Sequence, residues 1–243
     1  MPSHKASLLD GKEKPFRTGE IETKPPGPQQ VQIRTKAVAI NPVDWKIRDH
    51  GLFLTKFPGV VGEDVAGTIE EVGGEVKRFK KGDRVIAHPN FLVSFQNEEG
   101  GFQELVNVPE SNACPMPEGL AFEQAVVMPL AVSTASAGLY QSKKQACLEL
   151  PLPSHTPKQT GKTILIWGGS SSVGSAAIQL ARASGLTVLA TCSKRNFEFV
   201  ENLGAKAFDY NSPSIVGDLV AELQKGEFVG AYDGMSIEKK KSC

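Results

Sequence analysis

Between Leu165 and Ser175 the chain reads LIWGGSSSVGS, an apolar run, two glycines, three serines and a third glycine that opens a stretch of small and apolar residues. These residue types suit the binding of a phosphate by backbone. In a βαβ unit that holds a dinucleotide, the turn after the first strand must be tight and must bring N–H groups to the pyrophosphate. The helix that follows adds the partial positive charge of its N-terminus. Gly168 and Gly169 are expected to make that turn, with Gly174 where the helix must pack closely on the strand. Ser170, Ser171, Ser172 and Val173 take the phosphate-facing positions. A serine hydroxyl there either caps the helix or donates to a phosphate oxygen. Taken alone, such a turn is not separable from an ordinary strand–helix turn.

The end of the next strand carries the second part of the signal. About 20 residues beyond the turn, an NAD-binding unit presents Asp or Glu to the ribose 2′-hydroxyl. This chain has Ser193, Lys194, Arg195 and Asn196 there, with no acid before Glu198. A hydroxyl and a pair of cations suit a 2′-phosphate, so the expected cofactor is NADPH rather than NADH. The alternative is a solvated basic helix start.

Elements able to position these residues can be read from the patterning. From about Val31 to Val108, short β-type runs (VQIRTKAVAI, VAGTIEEVG, DRVIAH, FQELVNV) are separated by turn signals, which predicts a β-rich domain. After Pro117, GLAFEQAVVMPLAVSTASAGLYQ has helical spacing, and Leu148–Gly161, with three prolines, reads as a surface loop. Strands at 163–167, 187–191, 207–208 and 229–232 then alternate with helices at 175–184, 196–203 and 213–223, the pattern of a parallel sheet with covered faces. The expected fold class is therefore α/β, a β-rich domain followed by a doubly wound one.

Composition narrows the function classes. Lys plus Arg and Asp plus Glu balance at 27 each in 243 residues, so no net field favours nucleic acid or an anionic membrane, and a small ligand or cofactor is the expected partner. Cys114, Cys147, Cys192 and Cys243 form no CxxC pair, which argues against a zinc finger or a disulfide scaffold and fits a reducing compartment. The first residues have no signal-peptide core, and the uncharged run from Gln124 to Lys143 is broken by Pro129 and Gly138. The expected location is cytoplasmic.

Several motifs, in order, carry a family resemblance: AVAINPVDWK (37–46), GVVGEDVAGTIEEVG (59–73), FKKGDRVIAH (79–88), LIWGGSSSVGS (165–175), ATCSKRNFEFVENLGAKAFDY (190–210) and GAYDGMS (230–236). Together they resemble the zinc-independent branch of the medium-chain dehydrogenase/reductase superfamily, in particular the fungal trans-acting enoyl reductases and CipB-like, quinone oxidoreductase-like proteins. The resemblance implies a GroES-like catalytic domain over residues 1–122 and an NADP-binding Rossmann domain over 123–243, with the active site in the cleft between them. Zinc-dependent relatives place Cys where this chain has Asn41 and His where it has Glu63, and many carry a four-cysteine lobe that is missing here. No metal is therefore expected.

What the resemblance implies chemically is conjugate reduction of an activated C=C, an enoyl thioester or enone, with quinone reduction as the alternative. Val43, Asp44, Trp45 and Lys46 are implied to line the nicotinamide. Asn41 and Lys46 are the implied catalytic residues, Lys46 as an electrostatic contact to cofactor or enolate, or else as a solvated lysine beside a turn. The tyrosine that some mitochondrial enoyl reductases use as proton donor is missing from Gly51-Leu52-Phe53. Ser133, Thr134, Ala135, Ser136, Ala137, Gly138, Leu139 and Tyr140 correspond to a segment along the substrate channel, where small residues leave room either for an acyl chain or for helix packing. Tyr210 resembles the residue that flanks the adenosine ribose. Implied partners are a small-molecule or carrier-bound acyl substrate and a polyketide synthase, in a monomer or dimer. The Rossmann half is expected to lack its last two strands, the final EKKKSC reading as the start of a helix. The chain alone is then expected to be poorly soluble or to bind NADPH weakly, its fourth strand being an open edge, or to be a non-catalytic fragment.

Overall fold

The computed structural model describes residues 2–54 and 56–235; Cys243, Ser236 and the EKKKSC segment lie outside the described residues. The chain divides into two compact units, residues 1–130 and 131–243. This boundary falls after the expected one at 122 because α3 (Phe122–Ala125) packs back onto the first unit: Ala125 and Val126 are buried with Ala66 and Met116.

In the first unit, β1 (Ser3–Leu9) and β2 (Phe16–Glu22) form an antiparallel hairpin. A five-stranded antiparallel sheet is built from β3 (Gln30–Ala39), β4 (Asp64–Val72), β5 (Arg84–Ala87), β6 (Leu105–Pro109) and β7 (Ala113–Pro115), in the order β6-β3-β4-β5-β7. Its inward positions, among them Val31, Ile33, Val65, Ile69, Val85 and Val106, make one core. Two further helices belong here, α1 (Pro42–His50) and the short α2 (Phe91–Ser94). β6 pairs with β3 up to Arg34, after which β3 continues to Ala39 paired with β4 alone among the described residues.

The helical stretch expected after Pro117 is two helices, because Pro129 cannot donate into a preceding turn and disfavours helix at Met128. It starts α4 (Pro129–Tyr140) instead. No helix or strand occupies 148–161, in line with the expected loop.

The second unit is the alternating βα pattern. β8 (Lys162–Trp167), β9 (Thr187–Cys192), β10 (Lys206–Asp209) and β11 (Glu227–Asp233) form a parallel sheet in the order β10-β9-β8-β11. That is the 3-2-1-4 order of a doubly wound fold. Three helices connect the strands: α5 (Ser172–Ala183), α6 (Phe197–Asn202) and α7 (Ile215–Leu223). Ile164 and Ile166 of β8, Val188 and Ala190 of β9, and Ala177, Ile178 and Ala181 of α5 form its core. Runs this apolar belong to strands covered on both faces. β10 and β11 are the edge strands among the described residues. No helix among them is long and apolar enough to cross a membrane.

Candidate functional site

In the first unit the NPVDWK segment is a helix start. Pro42 stands at the first helical position, and Asp44 Oδ2 accepts from the Asn41 backbone N–H at 2.7 Å, which closes the first turn of α1. The helix ends at Gly51, whose φ of +68° is a left-handed cap. Asn41 does not cap with its side chain: Nδ2 donates to Asp64 Oδ2 at 2.7 Å, and Asp64 Oδ1 accepts from the Leu130 N–H at 2.7 Å, at the start of α4. Glu63, its neighbour in sequence, is fully buried with Oε2 3.2 Å from Nε2 of His88, the residue that follows β5. Asp44 Oδ1 and Glu63 Oε1 meet no hydrogen-bond donor among the described residues.

Burial governs the ionisation of this cluster. It pushes the Asp44 carboxyl up from 3.8 to about 6, the charges of Glu63 and Asp64 adding to the effect against the Asn41 amide. Burial likewise raises Glu63, against the opposing pull of His88, and raises Asp64, against Asn41, the Leu130 amide and His88. Glu63, Asp64 and His88 were not among the expected site residues. Their signal was the pair of adjacent acids between Gly62 and the apolar VAG, since a carboxylate in such a run must find a partner or stay protonated.

The remaining residues of the segment go separate ways. Val43 packs with Leu9, Ile47 and Phe91. Lys46 is exposed, its Nζ 5.8 Å from the Trp45 ring centroid. Trp45 is half-exposed and, with Phe16, Val38, Ile40 and Phe102, walls an open groove of about 610 Å³ into which Asp44 also faces.

In the second unit, the turn after β8 is tight. Gly168 has a φ of +83°, and its N–H is held by Thr191 Oγ1 at 3.0 Å. A Cβ on Gly174 would stand 2.2 Å from the Gly168 carbonyl oxygen, so α5 can approach the strand this closely only with glycine there. Of the two roles open to the serines, Ser171 takes the cap: Oγ accepts from the Gly174 N–H at 3.0 Å and donates to the Gly168 carbonyl at 2.8 Å. Ser171 is therefore not a phosphate donor. Ser172 and Val173 lie in the first turn of α5, where backbone N–H groups have no acceptor within the helix.

Gly168, Ser170, Ser193, Arg195, Asn196 and Tyr210 line one cavity of about 510 Å³. The fold thus gathers residues as far apart in sequence as Gly168 and Tyr210 at the carboxyl ends of β8, β9 and β10. Gly169 is buried, its N–H donating to the Thr191 carbonyl at 2.8 Å. Lys194 separates from Arg195 and lines a neighbouring cavity of about 370 Å³ with Phe197, Phe208 and Asp209. The expected cation pair is one cation, because the short helical turn over 194–196 sends successive side chains to different sides. The residues present fit a dinucleotide: glycine where a Cβ would clash, free amides at a helix start, and hydroxyl and guanidinium donors at the second strand end.

The 133–140 segment is divided. Ala135 and Leu139 are fully buried in the second core, and a Cβ on Gly138 would stand 2.4 Å from Cε2 of Tyr232. The Tyr140 hydroxyl donates to the Leu180 carbonyl at 3.2 Å and lies 3.0 Å from Ser184 Oγ. At these positions small residues serve helix packing. Ser133 and Thr134 are exposed, while Ser136 and Ala137 are half-buried.

Residues 27–118 match the family model of the alcohol dehydrogenase GroES-like domain. Trans-enoyl reductase himH of Aspergillus japonicus is 46% identical over 201 residues, 82% of this chain and 57% of that protein. Trans-enoyl reductase tazE of Aspergillus terreus is 36% identical, over 91% of this chain and 73% of its own. Among solved structures, an alcohol dehydrogenase superfamily protein from Novosphingobium aromaticivorans superposes with a TM-score of 0.77 at 30% identity, covering 96% of this chain and 66% of that one. The chain thus spans less than two thirds of himH's length. A GroES-like unit, a 3-2-1-4 parallel sheet with a glycine-serine turn, and relatives of this similarity make the chain a member of the medium-chain dehydrogenase/reductase superfamily, in the group of fungal trans-enoyl reductases and CipB-like oxidoreductases.

Proposed function

We propose that the parent protein is an NADPH-dependent, zinc-independent oxidoreductase that reduces an activated C=C, an enoyl thioester or enone, in fungal secondary metabolism. The observation that carries this reading is the single cavity in which Ser170, Ser193, Arg195 and Tyr210 meet at the glycine turn. Ser193 and Arg195 offer a 2′-phosphate a hydroxyl and a guanidinium, where an NAD site would offer a carboxylate. When bound, the nicotinamide supplies a hydride, and the chain's own residues bind, orient and stabilise charge. The turn amides and Ser170 hold the pyrophosphate. Lys46, exposed on α1, supplies a positive charge to the cofactor or to a developing enolate. Asn41 contributes less directly, since one N–H of its amide is already given to Asp64.

Zinc independence is supported by the donor set: an amide engaged with Asp64 and a buried carboxylate against His88 stand where zinc enzymes of this family use thiolate and imidazole. A carrier-bound acyl chain from a polyketide synthase is the proposed substrate, and the cytoplasm, which keeps Cys114, Cys147 and Cys192 as free thiols, the proposed location.

The test is NADPH oxidation, followed at the nicotinamide absorbance, with a crotonyl thioester, a simple enone and a quinone, each before and after chelation with EDTA. Turnover of the thioester or enone that survives EDTA is expected. Quinone turnover alone would reassign the acceptor. NADPH binding with no acceptor reduced is the outcome for a non-catalytic NADPH-binding protein. A thermal shift of several degrees with NADPH and one sharp transition would overturn the expectation that the chain alone binds weakly.

A further inference from the structure

Asn196 has a position that its place in the sequence does not explain. Its Nδ2 donates to Ser170 Oγ at 3.1 Å and to Ser193 Oγ at 3.2 Å, so one amide spans the turn after β8 and the end of β9. The backbone N–H of Asn196 also donates to the Ser193 carbonyl at 2.9 Å, which fixes the side chain's origin. An amide NH₂ can only donate, so each serine oxygen is forced to accept there. Each hydroxyl has a single proton, and among the described residues neither Ser170 nor Ser193 gives it to a protein acceptor. Both protons are therefore left for a ligand in the cavity that the three side chains line. A phosphate oxygen only accepts, so it is the group this polarity selects.

We propose that Asn196 is a positioning residue which, by donating one N–H to each serine, turns both hydroxyl protons into the cavity and so sets the preference for a 2′-phosphorylated dinucleotide. The inference rests on the NADPH reading above. Asn196 touches neither phosphate itself. It acts by holding Ser170 for the pyrophosphate and Ser193 for the 2′-phosphate in one polarity, which a carboxylate at the same place would reverse by accepting both protons.

The experiment is calorimetric titration of the full chain with NADPH and, separately, NADH. Wild type is expected to bind NADPH at least about tenfold more tightly, the equivalent of one phosphate-directed hydrogen-bond set. Asn196→Ala should bring the two affinities to within about threefold, with the cofactor-free melting temperature unchanged, and Asn196→Asp should weaken NADPH binding further than Ala does. The Ser170→Ala/Ser193→Ala variant should match Asn196→Ala, and adding Asn196→Ala to it should change nothing more, since the amide acts through those hydroxyls. Should Asn196→Ala fail to fold, the double serine variant alone decides: retention of the NADPH preference in it overturns the inference. An NADPH preference kept in Asn196→Ala, or equal losses for both cofactors, overturns the inference and leaves the cofactor reading standing. A wild type with no preference overturns the cofactor reading and the inference with it.

Discussion

Around α1 the chain hides its charges: Asp44, Glu63 and Asp64 are 2%, 0% and 1% exposed, and two of their oxygens meet no donor among the described residues. At the ends of β8 and β9 the chain does the opposite, holding small neutral hydroxyls half-open with no protein acceptor for their protons among the described residues. The first arrangement stores electrostatic tension that the fold must carry, because a buried carboxylate is costly unless paired or protonated. The second stores capacity to bind, because a preset donor loses little when the ligand arrives. A polar site can thus be a cost to the fold or a reserve for the ligand, according to whether its valences are closed off from water.

The contrast is broken most severely at Gly174. Valine there would drive a Cβ to within 2.2 Å of the Gly168 oxygen, forcing α5 off β8. Cofactor binding by titration should fall by more than tenfold, and stability by about 2 kcal/mol, roughly 10 °C in the melting transition of the second unit. A small change at this position would mean that the turn is softer than its geometry.

Asp44→Asn sharpens the comparison from the other side. The folded carboxyl, raised from 3.8 to about 6, takes up a proton more readily than the unfolded one. The stability this contributes is complete below about pH 4 and is lost as pH rises through about 6. Asparagine keeps an acceptor for the Asn41 N–H and removes the charge. The variant should melt a few degrees higher than wild type near pH 7.5, about 1 kcal/mol after allowance for solvent screening, with no gain near pH 4. An equal gain at both pH values would place the effect in packing instead of charge.

Smaller again is Gly138→Ala, where the new methyl meets the Tyr232 ring, whose hydroxyl donates to the Thr134 carbonyl at 3.1 Å. About 1 kcal/mol should be lost from the second unit alone, since the ring can shift. Least of all is Glu70→Gln, on the exposed side of the first unit, where Arg34 at 2.8 Å and Lys81 at 2.9 Å hold the carboxyl down to about 2. That pairing contributes above about pH 4.5 and is lost as pH falls through about 2. Being solvated, it should move the melting temperature by less than a degree at neutral pH, and by less still in high salt.

The second unit was legible in sequence because β8 and β9 carry the apolar runs TILIW and TVLATC, α5 and α7 are amphipathic, and the turn between β8 and α5 is marked by its glycines and serines. α1 was not, although Asn41, Pro42, Asp44 and Gly51 mark its two ends, because in a run as polar as PVDWKIRDH only two aliphatic side chains, Val43 and Ile47, pack on the core beside a buried Asp44. The β1–β2 hairpin escaped for a related reason. His4, polar in sequence, is buried and bonded through its ring nitrogens to Thr23 at 2.8 Å and Gln103 at 2.9 Å, a long-range pairing that no local pattern encodes. The candidate cofactor residues can be named one by one from the motifs. Their division of labour, with Ser171 inward, Lys194 apart from Arg195, and Asn196 between two hydroxyls, depends on side-chain direction, which spacing does not carry.

Ser171 has a kinetic consequence. With one oxygen tied both to the Gly174 amide and to the Gly168 carbonyl, the loop is braced in the free protein, before any ligand arrives. Association then spends little conformational entropy and has no loop closure to wait for, so its rate should follow ligand concentration linearly, without the plateau of a gated step. The same bond shields the Gly174 amide from solvent exchange in the free protein. The middle serine thus bears on how fast a ligand could enter, whereas the preference proposed above rests on Ser170 and Ser193.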